Sequence, residues 1–128
     1  MLRFAGDDGE IAQMEDIDAR GRVNMGIKFS EAYNINYDLF SEQFPDWPRG
    51  VLIEYVEPLR GAFKAGVMAG DVITRMCGEQ VADYKDMLRI RETLSPGDII
   101  EIEVFRRGEY LTAELEISEE TGGNSEIY

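Results

Sequence analysis

The clearest pattern of hydrophobic and polar positions lies near the end of the chain. Apolar side chains alternate with glutamates over residues 100–104, and the alternation resumes over residues 111–117 after Arg107-Gly108 interrupts it. Strict alternation is typical of a strand with one buried and one solvated face, so these segments predict an antiparallel hairpin. Two apolar stretches upstream, residues 51–56 and 72–76, are bounded by turn residues and predict two more strands. The sequence therefore predicts a sheet of at least four strands.

One helix is predicted between these strands and the hairpin. Asp83 is a favourable N-cap, and Asp86 follows it near the positive end of the helix dipole. The helix is expected to span residues 83–94, because Ser95-Pro96-Gly97 stops it. Its larger side chains form two adjoining groups, Met87, Ile90 and Leu94 on one side and Tyr84, Leu88 and Arg91 on the other. The stripe is wider than contact with a core requires.

The chain of 128 residues has room for one domain. Residues 1–21 are acidic and hold few large apolar side chains, so we interpret them as a leader or linker. The domain is expected over residues 22–118. It contains an aromatic-rich insertion at residues 30–48, in which Leu39, Phe40 and Phe44 predict a short helix. A flexible acidic tail is expected over residues 119–128.

Composition and charge exclude several function classes. There are 13 Lys and Arg against 26 Asp and Glu, and the net charge of −13 makes nucleic acid and anionic membrane poor partners. The absence of histidine removes any Ser-His or Cys-His nucleophile pair. A single cysteine, Cys77, excludes an intrachain disulfide and a Cys/His zinc site. No apolar run is long enough for a membrane span, so we expect no membrane insertion. Taken together with the histidine and cysteine counts, the sequence predicts no catalytic residues, cofactor or metal.

From Gly50 onward the predicted order is strand, small-residue turn, strand, helix, strand, strand. That order resembles a PDZ domain, in the bacterial arrangement attached to HtrA-type serine proteases. The matching segments are Gly50 to Val56, Ala62 to Ile73, Ser95 to Asp98 and Val104 to Gly108. The resemblance implies an α+β fold, an antiparallel β-sandwich or partly open barrel of five to six strands with one main and one short helix. It also implies a permuted strand order, with residues 109–117 supplying the displaced strand.

The same resemblance implies a loop that binds a free chain terminus, and it places that loop at Asn24-Met25-Gly26-Ile27. Backbone N–H groups must converge there on a carboxylate, and Gly26 permits both the dihedral angles and the close approach. Met25 and Ile27 are two residues apart, so they point the same way and are expected to wall a pocket for the ligand's last side chain. Phe29 continues this segment as an exposed strand edge.

The groove implied by the resemblance lies between that edge and the helix over residues 83–94. Tyr84 is expected to face the ligand's third-from-last side chain, and Leu88 and Arg91 lie deeper towards the terminal pocket. An aromatic residue in place of the usual histidine favours an apolar ligand side chain at that position. Arg22, just before the loop, is expected to support the carboxylate directly or through water. We expect an affinity near the micromolar range, about −8 kcal/mol.

The leading hypothesis is a module that captures free C-termini with an apolar last residue by β-strand addition. It would be the regulatory or substrate-binding part of an HtrA-type serine protease, and extracytoplasmic or membrane-tethered if so. A stand-alone adaptor without a protease is the alternative. A third hypothesis is an acid-based hydrolase that uses Asp16 with Asp18 or Glu101 with Glu103, although the latter pair lies on a solvated strand face.

Two features leave the occupancy of the groove open. The aromatic side chains of the insertion at residues 30–48 either cover the groove or leave it open. The chain ends in Ile127-Tyr128 behind Gly122-Gly123, and this tail is a candidate ligand for the groove of a neighbouring copy. The alternative for the tail is a frayed end.

Overall fold

The computed structural model describes residues 23–119 and 127–128. The expected leader at residues 1–21, Arg22, the Asp16 and Asp18 pair and most of the acidic tail lie outside these residues. The described elements are β1 Val23–Asn24, β2 Ile27–Phe29, α1 Glu31–Ile35, α2 Tyr37–Gln43, β3 Val51–Val56, α3 Gly61–Lys64, β4 Val72–Met76, β5 Glu79–Gln80, α4 Tyr84–Arg91, β6 Ile99–Arg106, β7 Glu109–Glu116 and β8 Ser118–Glu119. None of the described helices is long and apolar enough to cross a membrane.

The strands pair antiparallel in two sheets. The larger sheet runs in the order β2-β3-β4-β6-β7, with β5 paired to β4, and β1 pairs with β8 in a separate two-stranded sheet. The predicted α+β class with antiparallel strands is confirmed, and the described strands form open sheets that do not close into a barrel. Within the described residues β2 pairs with a strand on one side only, so its other edge faces α4 and the site described below.

The predicted hairpin is formed by β6 and β7. Their register joins Arg106 to Glu109 around a two-residue turn at Arg107 and Gly108. Both turn residues have positive φ, 51° and 85°, which matches the right-handed twist of the strands. The apolar positions of the alternating pattern, from Ile100 to Leu115, face the core, while the glutamates between them stay at the surface. The predicted antiparallel hairpin with one solvated face is therefore confirmed.

Helix α4 is shorter than predicted. The Asp83 side chain accepts a hydrogen bond from the Asp86 N–H at 3.1 Å, which confirms the expected N-cap. The helix ends at Arg91 rather than at residue 94, because the chain tightens into a turn in which the Thr93 N–H donates to the Ile90 carbonyl at 3.0 Å. Met87 and Ile90 are buried. The adjoining side of the helix is left for the groove.

The insertion folds as two helices, α1 and α2, where one was predicted. Their aromatic side chains form a second core with Val72 and Phe105. Neighbouring residues Ile73 and Val104 belong to the main core, and successive side chains of a strand point to opposite faces, so the second core lies on the other side of the sheet. Burial raises the pKa of the Tyr33 hydroxyl, which donates to the Pro48 carbonyl at 2.6 Å. The aromatic side chains of this core therefore pack away from the main core and do not cover the groove.

Candidate functional site

The loop between β1 and β2 directs three backbone N–H groups at one oxygen. The N–H groups of Met25, Gly26 and Ile27 donate to the carbonyl oxygen of Tyr128 at 2.9, 2.8 and 3.1 Å. In return, the Tyr128 N–H donates to the Ile27 carbonyl at 2.7 Å. Converging N–H groups of this kind create a concave site of positive potential that favours a carboxylate. The loop is therefore an anion cradle at the end of an open strand edge.

The conformation of the loop depends on Gly26 and on the segment that leads into α3. Gly26 has a φ of +85°, a region that side-chain-bearing residues rarely adopt. A Cβ atom at this position would lie 2.3 Å from the Cβ atom of Arg60. The sequence prediction gave two reasons for glycine here. The positive φ agrees with the first, the dihedral angles, whereas the atom that a side chain would meet belongs to Arg60 and not to a bound carboxylate. Hydrogen bonds from Glu57 N to Gly26 O at 2.8 Å and from Ala62 N to Met25 O at 2.9 Å hold the loop.

A Gly26→Ala variant is therefore expected to lose about 3 kcal/mol of unfolding free energy, from left-handed strain of about 1–2 kcal/mol and overlap with Arg60. Gly66 is the matched control, because its φ is +91° and a Cβ atom there would meet nothing within 4 Å. Gly66→Ala should lose only the strain, about 1 kcal/mol. Urea denaturation measures both losses, and equal values would contradict the role given to Arg60.

Aromatic side chains and one cation surround the groove between β2 and α4. The rings of Phe29 and Tyr84 stack with centroids 5.3 Å apart, and the rings of Phe29 and Tyr128 lie 4.8 Å apart. The Arg91 guanidinium carbon is 5.3 Å from the centroid of the Tyr128 ring. Leu88 is half-buried and packs against the same core cluster as these rings. The aromatic side chain in this slot, Tyr128, therefore contacts the Phe29 ring and the Arg91 guanidinium.

The predicted site residues, apart from Arg22, lie among the described residues and come together at this groove. Met25 and Ile27 are fully buried beneath the loop. The Asn24 side-chain amide donates to the carbonyl oxygen of Ile127 at 3.3 Å. Those predicted from the resemblance line the loop, the strand edge and the helix, namely Asn24, Met25, Gly26, Ile27, Phe29, Tyr84, Leu88 and Arg91. Their role in binding remains a prediction.

The match to known families decides what kind of domain carries this groove. Residues 23–117 match the family model of the PDZ domain. This chain belongs to the PDZ domain family. The PDZ domain resembles part of two curated proteases: it is 30% identical over 108 residues to the periplasmic serine endoprotease DegP of Salmonella typhimurium, and 28% identical over 105 residues to DegQ of Escherichia coli. The alignments cover 84% and 82% of this chain but only 22% and 23% of those proteases.

Solved structures of similar fold include PDZ domains of HtrA-type proteases. The HtrA-type protease AlgW with a decapeptide has a TM-score of 0.65 at 21% identity, covering 80% of this chain and 31% of AlgW. The HtrA3 PDZ domain bound to the phage-derived ligand FGRWV has a TM-score of 0.58 at 22% identity. The match covers 74% of this chain and 86% of the HtrA3 PDZ domain chain. An aminopeptidase N family protein from Idiomarina loihiensis has a TM-score of 0.62 at 31% identity, and the match covers 79% of this chain and 14% of that protein's chain. A similar fold thus forms part of two longer chains that belong to differently named protein families.

Two residues that support the groove of this PDZ domain were missed by the sequence reasoning. Asn34 in α1 donates to the Gly50 carbonyl at 2.7 Å and accepts from the Tyr84 N–H at 3.1 Å, so it ties the insertion to the start of α4. Arg60 packs beneath Gly26 and donates to the Glu119 carbonyl at 3.3 Å. Neither belongs to a periodic pattern. Only the folded chain brings these side chains to the groove.

Proposed function

We propose that this PDZ domain binds the free C-termini of other chains by adding them as a strand to β2. One observation carries the proposal: three consecutive N–H groups of the loop converge on a single terminal oxygen. Two structures of similar fold hold peptide ligands, a decapeptide in AlgW and FGRWV in the HtrA3 PDZ domain. These likenesses support a peptide as the ligand.

The strand addition follows from the hydrogen bonds at Ile27. Ile27 and Tyr128 exchange both of their backbone hydrogen bonds, which is the pattern of an antiparallel bonded pair. A longer ligand would continue this ladder along Lys28 and Phe29, since β2 uses its other side to pair with β3. Recognition by main-chain hydrogen bonds tolerates many ligand sequences, so specificity must come from side chains.

The side chains of the groove favour an apolar or aromatic last residue. Phe29 and Arg91 lie against the ring that occupies the terminal position, and Leu88 packs on the same core cluster as that ring. Tyr84, stacked on Phe29, favours an apolar side chain at the third-from-last position. The peptide-binding role is assigned to the full predicted set, Arg22, Asn24, Met25, Gly26, Ile27, Phe29, Tyr84, Leu88 and Arg91.

The parent protein is proposed to be an HtrA-type serine protease. The PDZ domain would serve as its regulatory or substrate-binding part without being catalytic itself, since the chain contains no histidine. The similarity to DegP and DegQ supports this assignment, although the alignments span about a quarter of those proteases. A stand-alone adaptor or a different partner domain is the second candidate. The similarity to 14% of the length of an aminopeptidase N family protein supports a different partner domain rather than a stand-alone adaptor.

The acid-based hydrolase finds no support among the described residues. Glu101 is exposed on β6, and Glu103 accepts a hydrogen bond from the Thr74 hydroxyl at 2.7 Å. That bond gives Glu103 a structural partner on the sheet surface and leaves no paired carboxylates in a cleft. Asp16 and Asp18 lie outside the described residues.

The proposal is tested with a chain ending at Glu126 and a synthetic peptide that has the sequence of residues 124–128. The peptide with a free carboxylate should bind in the micromolar range, and its C-terminal amide about ten- to a hundredfold more weakly, because charge-assisted hydrogen bonds to the loop are lost. Isothermal titration calorimetry measures both affinities. Equal binding of acid and amide, or no binding of either, would overturn the proposal.

Arg91 and Arg89 provide a matched pair of variants on the same helix. Arg91→Ala should weaken the peptide about two- to fivefold, because a cation–π contact at a partly exposed site contributes about 0.5–1 kcal/mol. Arg89 pairs with Glu79 at 3.2 Å on the exposed side, so Arg89→Ala should leave the affinity unchanged. Equal effects of the two substitutions in the same titration would exclude the Tyr128 position as the site of the ligand's last ring.

A further inference from the structure

The groove is filled by the last two residues of the chain itself. Tyr128 takes part in four backbone hydrogen bonds with the loop and β2, and its ring lies against Phe29. Ile127 is 6% exposed, and its carbonyl oxygen accepts from the Asn24 side chain. The sequence left two alternatives for the tail, a ligand for a neighbouring copy or a frayed end, whereas in the structure residues 127–128 lie in the groove of their own chain.

The contacts reproduce what a bound peptide would make. The terminal oxygen lies in the cradle of Met25, Gly26 and Ile27, and the Tyr128 N–H continues the ladder on Ile27. The Tyr128 ring is half-buried beside the Arg91 guanidinium. Backbone and side-chain sites of the groove are therefore satisfied at once. A second ligand has no access to the cradle while the tail occupies it.

The fold brings the start of the tail close to the loop. Strand β8 pairs with β1, so that Glu119 lies opposite Val23 and Ser118 opposite Asn24, immediately before the loop. The Ser118 hydroxyl donates to the Asn24 carbonyl at 3.1 Å, and Arg60 holds Glu119 through its carbonyl. Only seven residues, 120–126, separate Glu119 from Ile127 in the sequence. A short connection of this kind keeps the tail at a high effective concentration near the groove.

We propose that Ile127 and Tyr128 form an intramolecular ligand that competes with every other chain end for the groove. This inference rests on the proposed function of the same groove. The peptide affinity of the full chain is then set by displacement of the tail as well as by the contacts of the incoming peptide. The partner best able to displace the tail is a chain end with an aromatic last residue, because such a residue regains the ring contact with Phe29 and the cation–π contact with Arg91.

The factor by which the tail weakens a competing peptide follows from the effective concentration of the tail at the groove. A short linker gives an effective concentration on the order of 1 mM. If the two docked residues bind with an intrinsic Kd of about 100 µM, they occupy the groove roughly nine-tenths of the time and weaken a competing peptide about tenfold. The tail then raises the concentration threshold for partners without abolishing their binding.

The test compares the full chain with two variants, one ending at Glu126 and one carrying Ile127→Gly with Tyr128→Gly. The second keeps the length and a terminal carboxylate but loses both side chains. The probe is the free-carboxylate peptide of residues 124–128, measured by calorimetry. Both variants should bind it about tenfold more tightly than the full chain. NMR shifts of the Met25, Gly26 and Ile27 amides in the full chain should not change on dilution.

The outcomes separate this inference from the proposed function. Equal, measurable affinity in all three chains would overturn the intramolecular ligand and leave peptide binding in place. Binding in none of them would overturn peptide binding itself, and with it the competition. Loop shifts that change on dilution would place the tail in a second copy and overturn the intramolecular arrangement. Unchanged far-ultraviolet circular dichroism and unchanged urea midpoints of the variants verify that the fold survives.

Discussion

Replacing Arg106 with leucine is expected to lower the free energy of unfolding by about 3–5 kcal/mol. Its Nε and Nη2 atoms each donate to a different carboxylate oxygen of Asp71 at 2.8 Å. The Asp71 side chain is only 2% exposed and also accepts from the Met68 N–H at 2.9 Å. Without the guanidinium, a buried carboxylate is left unpaired. The hydrogen bond to Asp71 raises the pKa of Arg106 further above its ordinary value, and an arginine is charged at every accessible pH even without this shift.

Urea denaturation with and without a second substitution tests this pair. In an Asp71→Asn background the Arg106→Leu loss should shrink well below its value in the wild-type chain, because no buried charge remains. Arg89→Leu is the control, since its pairs with Glu79 and Asp86 are at the surface and contribute about 0–1 kcal/mol. An Arg106→Leu loss no larger than that of the control would show that water already satisfies Asp71.

Replacing Phe105 with alanine is expected to cost about 3–5 kcal/mol through loss of burial and a cavity. Phe105 is 3% exposed, and its ring centroid lies 5.5 Å from that of Trp47 and 5.2 Å from that of Tyr110. It is a buried member of the second core, and aromatic side chains of the insertion helices pack against this core. The substitution should therefore loosen the insertion more than the main sheet.

Trp47 reports this change directly, because it is the only tryptophan in the chain. Its emission should shift to longer wavelength in Phe105→Ala at denaturant concentrations where the main sheet is still folded. Tyr110→Ala serves as the control, since Tyr110 is 56% exposed and touches the same ring from the outside. A similar loss of unfolding free energy from both substitutions would argue against a separate second core.

Much of the fold could be predicted because it depends on local pattern. Alternation over residues 100–104 and 111–117 places the hairpin, and the Asp83 cap places the start of α4. The end of α4 was missed, since the Thr93 turn arises from local hydrogen bonds that compete with the helix. The additional helix α1 begins at a Ser30 cap, a weak signal within an aromatic segment.

The site was harder to predict because its contacts join distant parts of the sequence. The loop glycine was found through resemblance, but its closest neighbour, Arg60, carries no sequence signal. The Asn24 contact with Ile127 spans 103 positions, and no periodicity links such residues. The tail was recognised as a ligand by its composition, whereas its docking in the same chain follows from the pairing of β8 with β1.

The side chain of Asn34 gives the insertion a mechanical role. Its amide nitrogen donates to the Gly50 carbonyl beside β3, and its amide oxygen accepts from the Tyr84 N–H in the first turn of α4. Any widening of the groove between α4 and β2 must lengthen these two hydrogen bonds or move α1 together with α4. A bulky peptide in the groove would therefore also displace the insertion helices. These helices carry the exposed apolar side chains of Ile35 and Leu39, which are 73% and 66% exposed.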